Sequence, residues 1–300
     1  MRRQAAESAS AARTLDRVAT LVRAGITARR AWTVVAEREP ALLPVARSIA
    51  AGATVAEGLC RVRGTGQAVW QDVAVLWAVA ERTGSPVAPT LDALAAALRE
   101  RADADRAVEV ALAGPRASGR VVLALPVVGV LFGLMWGIES VRFLFASVLG
   151  WGCLVLAGGL VLCAGHWTRR LVARADPSGP VPGLGLELWA VALSSGGARS
   201  AASRVVAEAA GDRALPEAER TAITATLELA DAVGVPAAGL LRAAATDVRR
   251  DTAADQLAAA ERLGVLLVLP LGVCLLPAFV LVGIVPVIAG ILSSTIAGLR

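Results

Sequence analysis

Three stretches of this chain carry no charge over lengths that suit a bilayer, and they narrow the possible folds more than any other feature. Val121 to Ile138 is 18 residues long and Phe143 to Trp167 is 25, with Glu139-Ser-Val-Arg142 between them. Leu263 to Leu299 is 37. A helix needs about 20 residues to cross a hydrocarbon core of about 30 Å. The first two stretches therefore predict a transmembrane hairpin. The third would measure roughly 55 Å as one straight helix, and Pro270, Pro277 and Pro286 each remove a backbone donor within it. The preferred reading is one kinked span with its tail on the far side. A tight hairpin that returns the tail is the alternative.

The hydrophobic content of 56% and mean hydropathy of +0.63 exceed those of an ordinary globular chain. The excess lies in these stretches, while the remainder is rich in Ala, Arg and acids. The chain has no Lys, so all 30 basic residues are Arg. Residues 1–120 hold 17 of them and Arg169, Arg170 and Arg174 follow the second stretch, whereas the hairpin turn has only Arg142. This asymmetry predicts that both polar regions face the cytoplasm. Trp136, Trp151 and Trp167 include residues at the expected interfaces. The opening MRRQAAESASAARTLDRVA has no apolar core, so insertion is expected through the internal segments.

Between the apolar stretches the periodicity is helical. Leu15, Val18, Ala19, Val22, Ile26, Val34 and Val35 fall at largely helical spacing, interrupted at Gly25. Asp72 to Glu81 and Thr90 to Val110 read likewise, separated by Thr83-Gly-Ser-Pro86. The second polar region repeats this pattern. Gly84–Asp105 set against Gly234–Asp255 gives nine identities in 22 positions, among them the Gly, the Pro two later, Leu91/Leu241, Arg99/Arg249 and Asp105/Asp255. Leu21–Glu37 against Ala192–Glu208 gives six in 17, including Gly25/Gly196 and the shared run VVAE. The offsets are 150 and 171, so the second copy lacks about 21 residues around the counterpart of Gly52–Leu59. Duplication is the simplest account, with chance similarity of two Ala-rich helical regions as the alternative. In each copy Gly84 or Gly234 permits the left-handed turn that ends one helix, and Pro86 or Pro236 starts the next.

The expected fold is thus an all-α membrane protein in four parts. A helical-bundle domain covers 1–118, a transmembrane hairpin 119–168, a second, shortened helical bundle 169–262, and a kinked transmembrane segment with its tail 263–300.

Leu21-Val-Arg-Ala-Gly25 before an Ala-rich helix, Ala51-Gly-Ala-Thr-Val-Ala-Glu-Gly-Leu59, the turns Gly84-Ser-Pro-Val and Gly234-Val-Pro-Ala, and the closing Glu261-Arg-Leu-Gly occur in this order relative to the spans. With them the chain resembles the F-domain family of type II secretion and type IV pilus platform proteins, and more narrowly the tight-adherence (Flp pilus) branch. The resemblance implies an inner-membrane, multi-pass platform without catalysis of its own. Its implied partners are a cytoplasmic secretion ATPase, pilin-like subunits and other platform subunits, in a homo- or hetero-oligomer.

Sites of chemistry read weakly. Gly114-Pro-Arg-Ala-Ser-Gly119-Arg120 has phosphate-loop spacing, but Arg120 stands where Lys is needed and Val121 where a hydroxyl should be, so a juxtamembrane linker is expected. His166, the only histidine, reads as an interfacial residue. One His and dispersed Cys60, Cys153, Cys163 and Cys274 supply no metal site. No catalytic, cofactor or metal residue is expected. Arg residues interleaved with acids, and few aromatics in the polar regions, argue against nucleic-acid binding despite a net charge of +5. The spans hold no ionised group, which disfavours a transporter; an enzyme at the lipid interface, built on His166 or a carboxylate cluster, is the competing class. Gly129 and Gly133 would permit close helix packing, or simply face lipid. The mixed-charge runs make Arg99, Asp105, Arg249 and Asp255 candidates for docking charged partners.

Overall fold

The computed structural model describes residues 2–64, 66–114, 128, 147–174, 181–211, 215–286 and 288. The first expected span lies outside these residues except for Val128, as do Glu139–Arg142, the phosphate-loop-like segment beyond Gly114 and nearly all of the chain after Pro286. Among the described residues there is helix and no strand. The chain divides into two compact units, one from Met1–Ala107 with Ser178–Asp255 and one from Val108–Pro177 with Gln256–Arg300. The four expected parts had boundaries at 118, 168 and 262. The unit boundaries fall at 107, 177 and 255, and both polar regions lie in one unit.

In that first unit the helices are α1 (Arg2–Arg23), α2 (Ala28–Ala36), α3 (Leu43–Ala50), α4 (Val55–Cys60), α5 (Gln67–Thr83) and α6 (Val87–Ala111). Trp32 on α2 is fully buried and meets Trp70 and Trp77 of α5 edge to face, with ring centroids 6.3 and 5.6 Å away. These indoles form the centre of the core and offer no face to a nucleic-acid base. α4 begins with a capping box: Thr54 Oγ1 accepts from the Glu57 N–H, and the Glu57 carboxylate accepts from the Thr54 N–H. Gly58 lies against Val45, where an added Cβ would come within 3.2 Å of backbone. The Ala51–Leu59 element is therefore a tight α3–α4 corner.

The second polar region adds α8 (Leu184–Ser194), α9 (Arg199–Ala210), α10 (Glu217–Val233) and the start of α11 (Ala237–Leu266), after α7 (Val148–Arg174) of the other unit. α8, Leu-Gly-Leu-Glu-Leu-Trp-Ala-Val-Ala-Leu-Ser, is apolar around most of its circumference, and a helix of that kind is stable only when enclosed. Eight of its 11 residues are buried. Leu184, Leu188, Val191 and Ala192 join the core of α1–α6. Leu186 and Ala190 pack with Ile223, Leu227, Leu241 and Ala245 from α10 and α11.

In the second unit α7 contains Val148–Leu171, 24 residues long and apolar enough to cross a membrane, with only 17% of its most apolar window buried. Val148, Leu149, Val155 and Leu162 project outward. One face packs on the last apolar segment: Ala157 against Ala278 and Val282, Ala164 against Cys274 and Leu275. The described part of that segment is helical, with π turns at Leu271–Leu275 and Val280–Ile284. A proline ring clashes with the carbonyl four residues earlier. For Pro277 and Pro286 these are Val273 and Val282, each inside a π turn whose wider spacing relieves the contact.

Candidate functional site

Two short sequence elements determine how the polar regions join. α5 and α10 are both 17 residues long and both end on a glycine in the left-handed region, Gly84 at φ 67° and Gly234 at φ 73°. Each glycine N–H donates to a carbonyl four residues back, Ala80 or Ala230, and the next N–H reaches the same carbonyl at 3.1 Å. Pro86 and Pro236 directly precede α6 and α11. Gly25 and Gly196, at φ 87° and 78°, make the corresponding turns from α1 to α2 and from α8 to α9.

The four charges singled out as docking candidates occupy different environments. Arg99 bonds Asp16 of α1 at 2.6 Å, with both side chains about half exposed. Asp255 is exposed and Asp105 is buried. Arg249 is interior, its side chain 7% exposed, with Nε 2.6 Å from Glu100 of α6 and Nη1 3.2 Å from Glu187 of α8. Its guanidinium also donates to Thr246 Oγ1 at 3.0 Å. A run that reads as a solvated surface thus supplies an internal three-residue bridge linking α6, α8 and α11.

Glu187 is the residue that sequence reasoning missed. Advancing Arg99 by 150 gives Arg249 and advancing Asp16 by 171 gives Glu187, so an Arg–carboxylate pair stands at both of these places. The alignment block extends upstream to Leu15-Asp16 and Leu186-Glu187, which would have exposed it. Both leucines are fully buried. Burial pushes the Glu187 carboxyl above its ordinary range, with Arg249 and then Arg242 opposing the shift and Glu100 adding to it. Its Oε2 is buried without a hydrogen-bond partner.

The start of α8 is held by two further buried carboxylates. Glu219 of α10 accepts from the N–H groups of Gly183 and Gly185 at 2.8 and 3.0 Å, and Asp72 of α5 accepts from that of Val181. Carboxylates at a helix N-terminus satisfy donors that have no intrahelical partner and face the positive end of the dipole. A Cβ on Gly185 would meet Glu219 Oε2 at 2.8 Å, and one on Gly183 the Ala245 carbonyl oxygen at 2.9 Å. Glycine at these places is what lets the carboxylate and α11 approach.

Nothing in this arrangement resembles a reaction centre. Among the described residues no group of three His, Cys, Asp or Glu side chains could hold a metal ion, and His166 is exposed on α7. The site is a joint: an apolar helix held at one end by carboxylates and clamped by a buried Arg.

The family model described as Type II secretion system (T2SS), protein F matches residues 14–135. No match was found among curated proteins or among solved structures.

Proposed function

We propose that this chain, whose residues 14–135 form a type II secretion system protein F domain, acts as a membrane platform of a pilus-assembly machine of the tight-adherence type. Proteins of that family are structural parts of secretion machinery, not enzymes. The observation that carries the reading is the match of residues 14–135 to the protein F family model, helical in its described part, in a chain that also holds an apolar helix long enough to span a bilayer.

Several features support the finer parts of the proposal. Residues 178–255 repeat the F domain in shortened form: the α5–Gly84–α6 and α10–Gly234–α11 geometries correspond, and so do the Asp16–Arg99 and Glu187–Arg249 pairs. Only six residues separate α9 from α10, where 30 separate α2 from α5, so the α3–α4 corner has no counterpart. The Arg asymmetry favours a cytoplasmic location for both copies. The chain crosses the inner membrane with a hairpin and a last, proline-adapted segment. Its polar unit binds the cognate secretion ATPase and passes conformational change to pilin-like subunits in the bilayer.

The test is direct binding. The full chain in lipid nanodiscs should bind its cognate secretion ATPase saturably, and a variant with the α3–α4 corner disrupted by Gly58→Leu should bind more weakly at unchanged helicity. Absence of binding by the wild-type chain would sink the ATPase coupling.

A further inference from the structure

Arg249 holds two carboxylates, and the two holds are unequal. Its Nε lies 2.6 Å from Glu100 of α6 and its Nη1 3.2 Å from Glu187 of α8, with Nη2 on Thr246 of its own helix. The Glu100 side chain is 43% exposed and that of Glu187 only 5%. Glu187 keeps its second oxygen, Oε2, buried without a hydrogen-bond partner. A guanidinium bonded to one oxygen of a carboxylate whose other oxygen is orphaned makes half of a bidentate pair, and the complete pair is the stronger arrangement.

The charges decide which hold gives way. Two acids share one interior Arg. Releasing Glu187 would strand a buried carboxylate, whereas releasing Glu100 returns a half-exposed one to water and leaves Arg249 and Glu187 as a neutral pair. The guanidinium is planar and its N–H donors are fixed in a fork. Turning that plane to meet both Glu187 oxygens carries Nε off Glu100, so the two positions exclude each other.

The helices joined by Glu100 and Arg249 are those that lead from this unit toward the uncharged stretches. α6 ends at Ala111, before the stretch that starts at Val121, and α11 runs into the one that starts at Leu263. The opposite side of α6 is tied to α1 by the pairs Asp92–Arg23 and Arg99–Asp16. Movement of α6 with α1 against α11 must therefore break the Glu100 bond.

We propose that Arg249 is a two-position latch. In the position seen here it ties α6 to α11 through Glu100. In the other it closes on both oxygens of Glu187, keeps α8 on α11 and lets α6 move. The latch gives the polar unit of the platform reading a moving part, and it rests on that reading only for its use in export.

A static bridge loosens whichever carboxylate is removed, but a latch answers the two removals in opposite directions. Glu100→Gln removes the first position and favours release. Glu187→Gln removes the second acceptor oxygen and keeps Arg249 on Glu100. In the full chain in lipid nanodiscs, with Cys60, Cys153, Cys163 and Cys274 changed to Ala, spin labels on Ala107→Cys of α6 and Ala254→Cys of α11 report the distance between these helices. Both positions are exposed. Glu100→Gln should raise the long-distance fraction about fivefold, the factor that a half-exposed ion pair sets, and Glu187→Gln should lower it. Labels on Ser195→Cys and Ala243→Cys, which report the end of α8 against α11, should not move with Glu100→Gln. No change with Glu100→Gln, or a shift of the same sign for both variants, overturns the latch. Should the cysteine-free background not fold, carbodiimide labelling of Glu100 in the otherwise unaltered chain decides it. Glu187→Gln should lower that labelling, and unchanged or higher labelling overturns the latch equally. These readouts need no ATPase, so a moving latch without ATPase binding stands while the platform reading falls, and ATPase binding without movement does the reverse.

Discussion

Arg99 and Arg249 each pair with a carboxylate, but the first pair is half exposed and Arg249 is buried, and their substitution should differ accordingly. Removing Arg249 leaves the buried Glu187 without its main partner, and breaking a buried pair in this way costs about 3–5 kcal/mol. Removing Arg99 breaks a half-exposed pair worth roughly 0–1 kcal/mol. Unfolding of the purified variants should rank Arg249→Ala far below Arg99→Ala, and equal values would contradict the buried bridge. The Glu187 carboxyl is raised by burial, so between its ordinary value of 4.5 and its folded value the native state holds a proton that the unfolded state has released. Stability therefore falls as pH rises through that window. Glu187→Gln should flatten this slope, measured as melting temperature against pH. Arg249 looked solvated because local pattern could not reveal its partners: Glu100 is 149 residues away and Glu187 is 62. A single acid in an otherwise apolar α8 was the available hint, since a lone buried charge requires a counter-charge.

At the level of elements, the helical spacing of the polar regions and the glycine turns were legible because both are local. Gly84→Ala and Gly234→Ala meet nothing within 4 Å, so each should cost only the strain of a left-handed alanine, about 1–2 kcal/mol. Gly185→Ala should cost more by displacing the Glu219 carboxylate from the start of α8. Thermal unfolding that ranked the three in the opposite order would contradict this cap. What was not legible was α8 itself. An apolar helix 11 residues long has no polar face to set its phase, and it lies just after Trp167–Arg174, where the charge pattern announces a new polar region. Its role became visible only when Leu184 and Leu188 were seen in one cluster and Leu186 in another. Leu186→Ala should destabilise the unit by about 2–5 kcal/mol.

For the molecule as a whole, the sequence presents the two polar regions as separate domains because the stretch 119–168 divides them in the chain. Separation in sequence carries no information on whether two helical regions share a core, and here Val181, Leu188 and Val206 complete the core of the first region. Residues 1–111 produced alone should therefore expose the Val79 face of α5 and aggregate or lose fixed tertiary structure, as seen by near-ultraviolet circular dichroism. The central claim is that this chain is a platform on which export depends without itself catalysing anything. The most direct measurement is extracellular pilin-like subunit in a strain lacking the chain, compared with one carrying the wild-type copy. The account predicts that export stops while the purified secretion ATPase still hydrolyses ATP, and that the wild-type copy restores it. Export that continues undiminished without the chain would contradict the account.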